Sequence, residues 1–215
     1  MAARAKICGL TRPEDAAAAA GAGASFLGVV FAGGPRLVSQ ATAAEIAAAS
    51  RGVPVLGVFG DQTPEEILRC ARDAGLAGAQ LHGAYTADDA ARLAAAGLIV
   101  WRVLRIASPA DLDPLDQTWP HAETVLIEPK VPHAQGGAGV PLDLGLATEA
   151  RRRLAGSRMG LAGGLTPETV GPAVALVRPD VVDVSSGVEF LPGIKDHEKI
   201  ARFLEAVLGR SPTVG

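Results

Sequence analysis

Eight short apolar or β-branched runs alternate along this chain with alanine- and leucine-rich segments of helical spacing, and that alternation constrains the fold more than anything else in it. The runs are Ala5 to Cys8, Phe26 to Phe31, Val53 to Phe59, Ala77 to Leu81, Leu98 to Leu104, Thr124 to Ile127, Arg158 to Ala162 and Val181 to Val184. Strands separated by helices pair in parallel, because a parallel neighbour needs a crossover connection. Eight such units in 215 residues fit an α/β fold of one closed (β/α)8 TIM barrel, at the compact end of its size range. An open doubly wound sheet is the competing architecture. It usually has fewer strands, and no Gly-x-Gly-x-x-Gly turn follows the first run here. No composition break suggests a second unit, so the barrel is expected over residues 1–210, with 211–215 a disordered tail.

Several helical segments open with a hydroxyl and an acid three residues on: Thr11 with Glu14, Thr42 with Glu45, Thr63 with Glu66, Thr86 with Asp89. Each pair reads as a helix start, since the hydroxyl and the acid satisfy N–H groups that the first turn leaves unpaired. Pro64 and Pro167 follow threonines and read as first helical residues.

Composition narrows the class of partner. Hydrophobic residues make up 48% of the chain but aromatics only 4%, so alanine, leucine and valine must fill the core. The net charge is −3 with no basic stripe, which argues against nucleic acid. The alanine-rich stretch after Asp15 is far shorter than the roughly 18 apolar residues of a membrane span, and no secretory core follows Met1 to Lys6. A soluble, cytoplasmic protein without membrane contact is expected. Cys8 and Cys70 make no disulfide framework, and His82, His121, His133 and His197 are scattered, so no metal site is expected.

Cys8 ends the first strand and meets a helix start, the position where an α/β fold carries its chemistry. Lys6 shares its strand face, with Ile7 on the other. Strands seven and eight exit into Ala162-Gly163-Gly164-Leu165 and Asp183-Val184-Ser185-Ser186-Gly187-Val188-Glu189. Glycines admit a ligand close to the backbone, and N–H groups and hydroxyls donate to an anion. Gly163, Gly164, Ser185, Ser186 and Gly187 are therefore candidate phosphate ligands, at the loops where barrels commonly hold phosphate. The expected partner is a small phosphorylated molecule.

Taken together, Lys6-Ile7-Cys8-Gly9-Leu10-Thr11, Gly28-Val29-Val30-Phe31, Pro35-Arg36, Gln80-Leu81-His82-Gly83, Gly136-Gly137-Ala138-Gly139, the two late loops, Pro192-Gly193 and Lys195-Asp196 resemble the phosphoribosylanthranilate isomerase family, in order over nearly the whole chain. The resemblance implies an Amadori rearrangement of an aminoaldose phosphate in tryptophan biosynthesis. One acid opens the furanose ring and one base removes the C2′ proton, with no cofactor. It implies Cys8 as the base, its thiol pKa lowered by the barrel mouth, and Arg36 as the clamp of the anthranilate carboxylate. His82 is either a wall of the sugar pocket or a hydrogen-bonded structural histidine, and Asp183 either binds substrate or orients its loop. In the family an aspartate ends strand six; here Glu128 does, one methylene longer. Glu128 is therefore the expected acid. Asp143, the nearby spare carboxylate, reads as a helix start. A histidine-pathway relative fits less well, since its usual acid at strand one is replaced by Cys8. The remaining alternative is a non-catalytic or altered-specificity sugar-phosphate binder whose acid drifted to Glu128. The family includes monomers and homodimers, so either assembly is open.

Overall fold

The computed structural model describes residues 3–117, 119–131, 139–154 and 156–209. Most of the Gly136-Gly137-Ala138-Gly139 motif and the tail 211–215 lie outside the described residues. All eight runs are strands: β1 (Arg4–Ile7), β2 (Phe26–Val30), β3 (Val55–Phe59), β4 (Gly78–Leu81), β5 (Ile99–Ile106), β6 (Thr124–Pro129), β7 (Arg158–Leu161) and β8 (Val181–Val184). They pair in chain order, all parallel, and β8 closes on β1 with Arg4 opposite Val181 and Ile7 opposite Val184. The fold is a (β/α)8 TIM barrel.

The helices are α1 (Pro13–Gly21), α2 (Gln40–Ala49), α3 (Pro64–Ala74), α4 (Ala87–Ala95), α5 (Leu144–Arg153), α6 (Val170–Val177) and α7 (His197–Leu208). Between β5 and β6 the crossover is a 3-10 segment, Pro109–Asp116. Pro114 lies inside it and has no N–H to extend an α-helical ladder. The abundant alanine has a structural use: Ala16, Ala19, Ala43, Ala90, Ala147 and Ala150 are wholly buried on the inner helix faces. Small side chains there let the helices sit close to the outward-facing strand residues, so a chain poor in aromatics still packs densely.

Inside the barrel, Phe26, Leu56, Trp101, Leu126 and Val181 form a separate apolar cluster below the mouth. Phe26 meets the Trp101 ring edge-on, with centroids 5.1 Å apart. This plug makes the interior a packed core and leaves chemistry only to the C-terminal strand ends.

Two of the four expected caps hold. Thr63 and Thr86 make full capping boxes with Glu66 and Asp89, and Pro64 is the first residue of α3. The other two move. α1 is preceded by Arg12, and the Thr11 hydroxyl donates instead to the Gly193 carbonyl. α2 starts earlier, capped by Ser39, whose oxygen accepts from the Thr42 N–H. Pro167 sits in a turn before α6, which begins at Val170. Ser39 and Thr169 hydroxyls take the backbone N–H groups at the second and third of these starts, and at the first a tertiary contact takes the Thr11 hydroxyl itself. A further feature escaped the sequence reading: after β8 the chain makes a short antiparallel hairpin, β9 (Glu189–Leu191) with β10 (Ile194–Lys195).

Candidate active site

A cavity of about 560 Å³ opens at the C-terminal ends of the strands. All ten candidate catalytic and binding residues line it: Cys8, Arg36, His82, Glu128, Asp183, Gly163, Gly164, Ser185, Ser186 and Gly187. Asp143 does not. Its carboxylate accepts the Gly145 and Leu146 N–H groups and caps α5.

Cys8 follows β1 directly, its N–H donating to the Val184 carbonyl as the ladder with β8 runs out. Below it lies Lys6, fully buried, donating to Gln80 Oε1 at 2.8 Å and to both Asp183 oxygens at 3.1 and 3.2 Å. Parallel register sets Lys6 opposite Asp183, which makes the ion pair a product of β1–β8 closure. The space above β2 is also prescribed. A Cβ at Gly28 would lie 2.8 Å from Cys8 Sγ and 2.9 Å from Lys6 Cε, so any larger residue there would displace one of them.

The electrostatics correct one expectation. The mouth does not lower the Cys8 thiol pKa. Burial pushes it up, and Lys6 and Lys195 only partly offset burial and the neighbouring Asp183. Lys6 itself stays charged, because Asp183 and Cys8 outweigh its own burial.

Glu128 is the fifth residue of β6, buried at the mouth and opposite Arg105 of β5 in register. Its Oε1 accepts from Arg105 Nε at 2.9 Å and lies 2.7 Å from His82 Nε2. Burial alone would raise the Glu128 pKa, but His82 and Arg105 together hold the carboxyl below its usual range. His82 is thus a partner of Glu128 as well as a wall of the cavity.

Arg36 lies in the loop after β2 and is buried. Its Nε and Nη2 grip Glu189 side-on, both at 2.7 Å. Glu189 Oε1 also accepts from Lys195 Nζ at 2.8 Å, across the hairpin whose register sets these two residues opposite each other. Nη1 of Arg36 makes no hydrogen bond among the described residues, which leaves the end-on edge of the guanidinium for a ligand. Sequence reasoning missed Glu189, Lys195, Gln80 and Arg105 as site builders. Gln80 was signalled by strand alternation, two residues before His82 on the same face. The other three depend on pairings across the fold.

The phosphate loops face each other. At Gly163 φ is +109°, and a Cβ would run into the Pro129 ring. The N–H groups of Gly163, Gly164, Ser186 and Gly187 have no acceptor among the described residues, and the buried Ser185 hydroxyl has no partner there either. The buried Ser185 hydroxyl is costly to leave unpaired, and a phosphate has the oxygens to accept from it and from the N–H groups beside it.

The family model for N-(5′-phosphoribosyl)anthranilate (PRA) isomerase matches residues 5–206. The chain belongs to that family. A relative from Rubrobacter xylanophilus named N-(5′-phosphoribosyl)anthranilate isomerase is 40% identical over 207 residues, covering 95% of this chain and 98% of its own. One from Paracoccus denitrificans with the same name is 42% identical over 219 residues, with 95% and 96% covered. Among solved structures, the phosphoribosyl anthranilate isomerase of Thermotoga maritima superposes with a TM-score of 0.85 at 34% identity, covering 96% of this chain and 99% of that one. A family structure in complex with reduced 1-(o-carboxyphenylamino)-1-deoxyribulose 5-phosphate superposes at 0.83 with 32% identity and the same coverage. Among the described residues no helix is long and apolar enough to cross a membrane.

Proposed function

We propose that this chain isomerises N-(5′-phosphoribosyl)anthranilate to 1-(o-carboxyphenylamino)-1-deoxyribulose 5-phosphate at the barrel mouth, with Cys8 as base and Glu128 as acid. The isomerisation is the family's reaction, in tryptophan biosynthesis. The observation that carries the residue assignment is the convergence of a thiol, a carboxyl and two donor-rich loops on one cavity.

In this reading the Gly163-Gly164 and Ser185-Ser186-Gly187 loops hold the phosphate with N–H and hydroxyl donors, and fix one end of the substrate. Arg36, already oriented by Glu189 and Lys195, offers its end-on edge to the anthranilate carboxylate. Val30, Val58, Pro129 and Val140 give the cavity an apolar wall suited to the aromatic ring. Glu128 gives a proton to the furanose oxygen as the C1′–O bond breaks, leaving an iminium. Cys8 takes the C2′ proton, and the resulting enolamine tautomerises to the ketose. Substrate and product have the same composition, so no redox partner or co-substrate is needed.

The test is Glu128→Ala, assayed with freshly generated substrate. Turnover is expected to fall by roughly 10²- to 10⁴-fold while product affinity stays within a few-fold. Turnover at the parent rate would overturn the assignment of the acid.

A further inference from the structure

A glutamate arm has three side-chain torsions, and a general acid is useful only when its proton is held within a fraction of an ångström of the atom that receives it. Something must therefore fix the arm of Glu128. The pattern of contacts shows what does. Both polar neighbours converge on one oxygen: Arg105 Nε at 2.9 Å and His82 Nε2 at 2.7 Å address Oε1, and Oε2 has no hydrogen bond among the described residues. The same guanidinium reaches His82, Nη2 lying 2.6 Å from Nδ1 and 3.3 Å from Nε2 and donating to the His82 carbonyl at 3.1 Å. Arg105 thus touches the carboxyl directly and also holds the second group that touches it, through the His82 ring and carbonyl. Register makes this possible, since β5 and β6 place Arg105 opposite Glu128 at the strand ends.

We propose that Arg105 is a positioning residue for the reaction: with His82 it clamps Oε1 of Glu128, so that the long arm presents Oε2 to the substrate at a fixed place. The proposal rests on Glu128 being the acid. It also accounts for how a carboxyl one methylene longer than the family's aspartate serves the site, because the clamp is spaced for glutamate.

The clamp leaves a signature in the pH profile. The groups facing Glu128 are His82 after β4, Arg105 on β5 and Asp183 across the barrel at the end of β8. The reactive form has Glu128 protonated and Cys8 ionised, while the hydrogen bonds on Glu128 and the burial of Cys8 favour the opposite pair of states. When the acid titrates below the base, the reactive form is a constant minor fraction between the two values. The acidic limb of kcat/KM then reports the carboxyl and the alkaline limb the thiol. Removing the Arg105 donor and its charge from Oε1 must move the acidic limb to higher pH.

The experiment compares kcat, KM and the pH profile of the parent enzyme with Arg105→Ala, Arg105→Lys, Glu128→Asp, Glu128→Gln and the double variant Arg105→Ala with Glu128→Asp. Circular dichroism establishes that each is folded. Arg105→Ala is expected to lower kcat roughly 10- to 100-fold, the scale for a misplaced group, with KM within about threefold of the parent, and to shift the acidic limb upward. Arg105→Lys keeps the charge but loses the fork, so it recovers only part of kcat. Glu128→Asp withdraws the carboxyl from the clamp and is slower than the parent, yet costs much less when Arg105 is already alanine. Should Arg105→Ala fail to fold, the lysine variant carries the same kcat and pH-limb test. Parent-like kcat with an unmoved acidic limb, or strictly additive losses in the double variant, overturns the clamp while a dead Glu128→Gln leaves the acid in place. Parent-like turnover in Glu128→Gln overturns the acid assignment and the clamp with it.

Discussion

On the β1–β8 side of the mouth, Cys8 rests on Lys6, which is sealed in the barrel and balanced by Asp183 and Gln80. On the β4–β6 side, Glu128 is held by His82 and by Arg105, whose side chain is 33% exposed. Cys8 is set on a dry floor that carries a buried ion pair, and Glu128 is held in part by a side chain that water reaches. A buried pair cannot lose one member without stranding the other, whereas loss of the partly exposed Arg105 leaves Glu128 its second partner, His82. The difference makes the Cys8 side the more costly one to alter.

The largest expected effect tests the rigidity of the base side. Lys6→Met removes the only cation touching buried Asp183 among the described residues and is expected to cost about 3–5 kcal/mol of stability, read by urea unfolding. Arg105→Met, by the same measurement, is expected to cost less, because Arg105 is partly exposed and His82 still reaches Glu128. Equal losses would erase the contrast.

The two sides should also differ in how pH acts on stability. Glu128 has a lowered folded pKa, so its contribution is present above the unfolded value near 4.3 and is lost as pH falls. Cys8 has a raised folded pKa, so its contribution is complete below the unfolded value near 8.5 and is lost as pH rises past it. Unfolding free energies measured between acid and alkaline pH should therefore lose some acid sensitivity in Glu128→Gln and some alkaline sensitivity in Cys8→Ala. An exchange of the two effects would reverse the electrostatic description of the site.

The smallest effect concerns the carboxylate outside the clamp. Asp143→Ala removes a helix cap and is expected to cost about 1 kcal/mol with kcat and KM unchanged. A large loss of turnover would make Asp143 part of the acid machinery.

The sequence by itself determined the eight strands, the order of the units, the two donor-rich loops and the positions of Cys8 and Glu128, because these follow from local periodicity and from residues at strand ends. It also read Asp143 correctly as a cap, since a cap bonds to its own next two or three residues. Tertiary structure decided the rest. Thr11 left its helix for the Gly193 carbonyl, 182 positions away, and Glu189 was joined to Arg36 over 153 positions. Arg105 met Glu128 only through the β5–β6 register. The Cys8 thiol moved opposite to the sequence expectation, because desolvation is imposed by every element packed around it and outweighs the one lysine that strand alternation places nearby.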